Sequence, residues 1–377
     1  MSCYLNNLEG KNFMDSYFNG YKARYDQINE YLGIVERSQY IKSMDIFINL
    51  DDLFHRLHRP TANEEVQIMG ISAIKHCAVN IINLIAHYKW WATKHGIRAR
   101  VFAIYTSSRD VFKNRAFIPE YRAHHADINR PDNQKFFFIN DAVSHGIPIA
   151  KNICDYIKDV FLIDSKYLEP SIIPLYLKQE GIACYDWNML ISKDEYDFQY
   201  AYRDNWFFVI PQGENSHFIN RQTMWSFLVQ KAKLQKQYNS ALYHHNLYPL
   251  GLAIVGNKLR SIPRLKSIGW GTIFKYLDTV TEVDTNSPEV VSSRLLGLLD
   301  SKGVKPEIIQ KNLAAVSVDT QVSTMGAIDK AMITDQIKYT EDHEVLGVLN
   351  AQYFEEYPIN IPFLISSIGD PKPFFGK

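Results

Sequence analysis

Met44-Asp-Ile-Phe-Ile-Asn49 is a short apolar run that follows some forty polar and aromatic residues without a clear period. A run of this length, apolar on both alternations, suits a parallel strand covered on both faces. Working outward, a helix is predicted at roughly Glu64 to Lys94, where Ile68, Ile71, Ile74, Val79, Ile82 and Ile85 recur at helical intervals. Arg100-Val-Phe-Ala-Ile-Tyr-Thr106 reads as a second strand, and Val160–Ile163, Asn188–Ile191 and Trp206–Ile210 repeat the pattern with helices between them. Such alternation marks an α/β fold with a parallel sheet between two helical layers. Ligands of such sheets bind at the strands' carboxyl ends. Chemistry is therefore expected at Asn49 to Asp52, Thr106 to Arg109, Asp164 to Ser171 and Ser192 to Tyr196.

Composition excludes little. The chain has 377 residues, enough for two domains or one large α/β domain with an appendage, and 46% of them are hydrophobic. Formal net charge is +0 at pH 7, so any polyanion-binding surface must be a local patch. Cys3, Cys77, Cys154 and Cys184 are scattered without a Cys-x-x-Cys pair and read as reduced thiols. No leader pattern and no bilayer-length apolar run is present in the sequence, which points to a cytoplasm, or a host's cytoplasm for a viral chain. His55 and His58, His124-His125 and His244-His245 lack Cys or acid partners at zinc spacing and read as packed or exposed histidines. Phosphate-binding P-loops and serine nucleophile elbows are missing as well.

Farther along lies Leu247-Tyr-Pro-Leu-Gly-Leu-Ala-Ile-Val-Gly-Asn257-Lys-Leu-Arg260-Ser-Ile-Pro263-Arg-Leu-Lys-Ser-Ile-Gly269-Trp-Gly271-Thr272. Gly269 and Gly271 read as a tight turn opening a helix, where a sugar-phosphate backbone can meet the first helical N–H groups. Lys258, Arg260, Arg264, Lys266 and Lys275 surround the turn and would neutralise phosphates. The plainer reading is a helix-turn-helix corner with solvated charges. The long segment from Ser107 to about Ile149 carries Arg109, Lys113, Arg115, Arg122 and Arg130 among Phe112, Phe117 and Tyr121. Cations there could follow phosphates while bases stack on the rings, or the segment could be a solvated excursion.

The order of elements and several motifs resemble the flap endonuclease and 5'→3' exonuclease family. Val101 to Arg122, with its Pro119-Glu120-Tyr121-Arg122 run, is similar to the family's strand, acidic end, "TFR" and "YPEYK" stretch. Ile48-Asn49-Leu-Asp51-Asp52-Leu53-Phe54-His55-Arg56 occupies the place of its first motif, Leu168-Glu169-Pro-Ser171 that of "EADD", and Ser192-Lys-Asp194-Glu-Tyr196-Asp-Phe-Gln199 that of "SGDKDFLQ". The Leu247 to Thr272 stretch is similar to its helix-three-turn-helix motif. The resemblance runs from about residue 44 to about 280. It implies a PIN-like parallel-sheet α/β/α sandwich with a C-terminal helical helix-three-turn-helix module. The corresponding boundaries are a 1–40 extension, a 41–240 PIN-like domain with an arch-like insertion at about 107–150, a 241–345 helical DNA-binding module and a 346–377 extended tail.

Family members hold two divalent ions in a cluster of carboxylates. Mapped onto this chain, the first acid is Asn49 and the second Thr106. Glu169 is kept beside Ser171, Asp194 beside Tyr196, and the module's acids become Asn257 and Arg260. The resemblance thus implies a flap-endonuclease-like nucleic-acid-binding protein without catalysis, needing no cofactor, whose residual acids are Glu169 and Asp194. DNA is the expected partner, with RNA as the alternative and replication proteins as further candidates; a membrane is not expected. A phage or other viral setting is prompted by the drift of the motifs. One alternative is an active metal-dependent 5' nuclease using Mg²⁺ or Mn²⁺ on a rebuilt set of Asp51, Asp52, Glu169 and Asp194, although Asp51 and Asp52 also suit a helix's first turn. The other is a scaffold in a viral or replication complex. Beyond Asp284 the chain reads as helices, with Ser287 capping one and Pro288 in its first turn.

Overall fold

A computed structural model describes residues 41–51, 53, positions scattered between 77 and 92, 96–107, 112–121, 146–152, 154–155, 157–210, 217–219, 247–257, 260–265, 268–280 and 287–337. The expected N-terminal extension, most of the insertion and the C-terminal tail lie outside the described residues. Strands β1 (Ser43–Asn49), β2 (Arg98–Tyr105), β3 (Val160–Asp164), β4 (Trp187–Ile191) and β5 (Trp206–Ile210) form the expected parallel sheet, in the order β3-β2-β1-β4-β5. A short strand β6 (His217–Ile219), which the sequence does not announce, pairs antiparallel with β5 at the edge.

The strands are apolar on both alternations because both sheet faces are covered. In one row across the sheet, Phe161, Phe102, Phe47, Leu190 and Phe208 are in register. Phe161 and Phe102 stack at 4.9 Å, and Phe102 and Phe47 at 5.3 Å, as the close spacing of neighbouring strands requires. The adjacent row, Val160, Val101, Ile46, Met189 and Phe207, faces the other way and packs against the helical residues between 77 and 92 and those from 146 to 154. Asp45 is buried opposite Arg100, which donates to it at 2.8 Å, so this charge inside a strand is paired.

The Phe47 face carries the rest of the molecule. Helices α1 (Ile173–Gln179), α2 (Leu247–Val255), α3 (Trp270–Val280), α4 (Pro288–Ser301), α5 (Pro306–Val316), α6 (Val318–Ser323) and α7 (Ala327–Thr334) share one continuous core with it. Leu247 to Ile254 of α2 are all buried, so α2 is a core helix with no polar face. In α4, Val291, Leu295 and Leu299 form the single buried stripe of a surface helix. Pro288 stands in its first turn as expected. Ser287 departs from expectation: it makes no side-chain cap, and its hydroxyl donates to Glu289 at 2.6 Å. No helix among the described residues is long and apolar enough to cross a membrane.

Candidate functional site at the carboxyl ends of the strands

β1 lies where the strand order reverses, and its last residue, Asn49, is buried at the sheet's carboxyl edge, where ligands of such sheets bind. After β3, Ser165 donates its hydroxyl to the Leu168 carbonyl, and Lys166 takes a left-handed φ of 56°. That turn delivers Glu169 to the start of a 3-10 helix, Pro170–Ile172. After β4, Asp194 caps a second 3-10 helix, Glu195–Tyr200, by accepting from the Tyr196 N–H at 2.9 Å. A 3-10 helix has three residues per turn, so Asp197 sits beneath Asp194 on the same face. The sequence comparison stepped from Asp194 to Tyr196 and so missed Asp197, which the three-residue spacing would have found. Glu169, Ser171 and Asp197 are fully buried and Asp194 is 7% exposed.

Arg260 enters this cluster from the loop between α2 and α3. α2 ends at Gly256, whose φ of 75° belongs to the left-handed region; a Cβ there would lie 2.6 Å from the Ile262 carbonyl oxygen. Asn257 and Ile262 then exchange backbone hydrogen bonds, and the Asn257 side-chain oxygen accepts from the Arg260 N–H at 3.2 Å. This tight turn sends the Arg260 side chain inward. Nη1 donates to Glu169 Oε2 and, at 3.0 Å, to the Tyr121 hydroxyl. Nη2 donates to Asp194 Oδ2 at 2.6 Å and reaches Ser171 Oγ at 3.4 Å. The Tyr196 ring lies under the guanidinium, 3.9 Å from its carbon. Burial works against the cation, but Asp194 and then Glu169 outweigh it and hold its pKa well above the ordinary arginine value.

Asn49 completes the cluster: its amide donates to Asp197 Oδ2 at 3.0 Å and to Ser171 Oγ at 3.4 Å. Burial, and then the neighbouring Asp194, push the Asp197 carboxyl up to about 6. Tyr196 is also pushed well up, first by burial, and its hydroxyl accepts from the Gln321 amide of α6. These residues do not fit a pair of divalent ions. One oxygen each of Glu169 and Asp194 is bound to a guanidinium nitrogen, and a fixed positive charge inside the pocket repels a second cation.

Of the rebuilt set considered from sequence, Glu169 and Asp194 both pair with Arg260. Asp51 accepts from the Thr106 N–H at 3.0 Å, and Asp52 lies outside the described residues. Asp164, at the end of β3, accepts from the N–H groups of Ser107 and Lys166 at 2.9 Å each and pairs with the Lys166 ammonium at 2.7 Å. Among the described residues, no group of three or more His, Cys, Asp or Glu is placed to hold a metal ion.

The cations proposed to hold phosphates divide. Arg260 is corrected from a surface contact to a core residue, 0% exposed. Lys113 pairs with Asp329, and Arg115 Nε donates to the Tyr121 carbonyl at 3.0 Å. Phe112 and Tyr121, read as base-stacking rings, are buried at 2% and 0%; of the three rings, only Phe117 is exposed. These residues belong to a segment packed on the sheet, with Lys113–Ala116 as a 3-10 helix. Gly269 does precede a helix, its carbonyl accepting from the N–H groups of Thr272 and Ile273, and Gly271 lies in the first turn of α3. Arg264 and Lys275 are exposed there, with Arg264 Nε donating to the Ile268 carbonyl at 2.8 Å. Arg109, Arg122, Arg130, Lys258 and Lys266 lie outside the described residues.

No protein-family model matches the sequence, and no curated protein sequence matches it. Among solved structures, the chain is similar to the bacteriophage T5 D15 flap endonuclease in a pseudo-enzyme-product complex with DNA and metal ions, at 14% identity and a TM-score of 0.48 over 77% of this chain and 93% of that one. The T5 D15 protein co-crystallized with metal ions aligns at 13% identity and a TM-score of 0.49, over 78% of this chain and 97% of that one. The catalytic core of Rad2 in complex with DNA substrate aligns at 11% identity and 0.35, over 85% of this chain and 81% of that one. At those overlaps the likeness adds no argument; the parallel sheet rests on its own strand pairing.

Proposed function

We propose that the protein holds branched or single-strand-to-duplex nucleic acid, in a replication or repair setting, without cutting it. The observation that carries the absence of cutting is the Arg260 guanidinium, fully buried and paired with both Glu169 and Asp194. Water activation by divalent ions needs free carboxylate oxygens open to a substrate phosphate. Here the carboxylates are closed off and already bound to a cation. Support for nucleic-acid binding comes from the turn at Gly269, which opens α3 beside the exposed Arg264 and Lys275. Backbone N–H groups and accessible cations at such a turn suit a phosphate.

The test is a labelled 5'-flap duplex incubated with the full-length protein in Mg²⁺, in Mn²⁺ and in chelator, reading gel shift and cleavage together. A shift without cleavage in any of the three is expected. Metal-dependent cleavage that disappears in Asp194→Ala would show an active nuclease and overturn the proposal. Neither shift nor cleavage at physiological salt would favour a scaffold role.

A further inference from the structure

We infer that the pocket formed by Glu169, Asp194, Tyr121 and Tyr196 is a guanidinium-binding site that the chain fills itself, so that its buried carboxylates require a cation and Arg260 supplies it. The inference rests on the ion-paired geometry alone and is independent of nucleic-acid binding.

The geometry matches both terminal nitrogens and one face of a planar cation. Two carboxylates take one terminal nitrogen each, a phenol oxygen takes a further hydrogen at 3.0 Å, and an aromatic face lies 3.9 Å below the guanidinium carbon. A fork of fixed donors stacked on a ring is what distinguishes guanidinium from ammonium. The walls come from distant parts of the chain: Tyr121 from the packed insertion, Glu169 from the turn after β3, and Asp194 and Tyr196 from the 3-10 helix after β4. Three of the four walls are held by contacts that do not involve Arg260. Asp194 caps its own helix, Tyr196 accepts from Gln321, and Tyr121 packs edge-on against Phe112 with ring centroids 5.9 Å apart.

The pocket is therefore shaped by the fold and only occupied by Arg260. It also has a strong need for an occupant, because Glu169, Asp194 and Asp197 are all buried and, among the described residues, Arg260 is the cation paired with the first two. Removing one partner of a buried pair leaves uncompensated charge, whereas replacing the whole group by apolar or neutral residues of similar size need not destabilise.

The experiment uses full-length Arg260→Ala and measures its melting temperature against guanidinium chloride up to about 50 mM, where the denaturing effect is small because stability falls linearly with molar concentration. Sodium chloride at matched ionic strength is the control. The variant is expected to melt roughly 5–15 °C below wild type. Guanidinium should raise its Tm with the logarithmic dependence of a bound ligand, while wild type gains nothing. An equal rise in sodium chloride, or no rise in either salt, would overturn the inference.

Should Arg260→Ala fail to fold, the triple variant Glu169→Gln, Asp194→Asn, Arg260→Met decides. The proposal requires that it fold and ignore guanidinium. Its failure to fold would mean that Arg260 is needed for shape and not for charge.

Discussion

Asp197 shows how one carboxyl reports on the pocket. Its pKa is raised from 3.8 to about 6, chiefly by burial. The folded protein therefore holds a proton that the unfolded chain releases, and Asp197 contributes stability that is complete below about pH 4 and lost as pH rises through about 6. Asn in its place keeps the oxygen that Asn49 donates to and removes the buried charge. Asp197→Asn is expected to be more stable than wild type at pH 7.5 by on the order of 2 kcal/mol and to lose most of that advantage at pH 4. Urea unfolding at the two pH values checks this; a variant less stable at both would show that the ionised carboxylate is the form the fold prefers. Tyr121, read from sequence as a stacking ring, and Tyr196, read only as the residue in place of an acid, both act here as walls around a guanidinium.

The decisive element is the loop between α2 and α3. Gly256 has no room for a Cβ, which would lie 2.7 Å from the Arg264 nitrogen as well as against the Ile262 carbonyl. Gly256→Ala is expected to cost about 1–3 kcal/mol, read as a lower urea midpoint at unchanged slope. An unchanged midpoint would mean that the loop is not held in this conformation. Gly251 has a different role: a Cβ there would lie 2.5 Å from the Trp270 ring, so its absence lets Trp270 stack on Tyr248 at 5.3 Å. The exposed side of the same hairpin carries the binding prediction. Gly271→Val, at the first turn of α3, should weaken nucleic-acid binding while the melting temperature shifts little; unchanged affinity would count heavily against docking at that turn. Both halves of the loop's behaviour were partly legible. The Gly269 to Thr272 helix start follows from glycine placement, and an Arg standing where acids belong in the resembled family was visible in the sequence. That Arg260 turns inward, while Arg264 stays outside, was not.

Across the whole molecule, the helices after residue 246 do not form a core of their own among the described residues; they complete the one that begins on the Phe47 face of the sheet. Polar ties run the same way. Asn312 of α5 donates to the Ala253 carbonyl at 2.8 Å, Gln199 donates to the Val316 carbonyl at 2.8 Å, and the Gln336 side chain pairs with both backbone groups of Asp164. Lys113 and Tyr167 converge on Asp329, which also accepts from the Gly326 N–H at the start of α7. A shared core melts together, so calorimetry should give one transition with matching calorimetric and van't Hoff enthalpies. Two resolved transitions would mean that the sheet and the helices are separate cooperative units.

The sequence by itself determined the five parallel strands and the helix starts after Gly269 and at Pro288, because strand burial, glycine turns and proline positions act over a few residues. It also located Glu169 and Asp194 at strand ends. Tertiary structure alone decided what those carboxylates do. Arg260 lies 91 residues from Glu169 and 66 from Asp194, and no local rule connects charges that far apart in the chain. Only folding the hairpin onto the sheet excludes water from the pocket, and with water gone the two buried carboxylates pair with the Arg260 guanidinium.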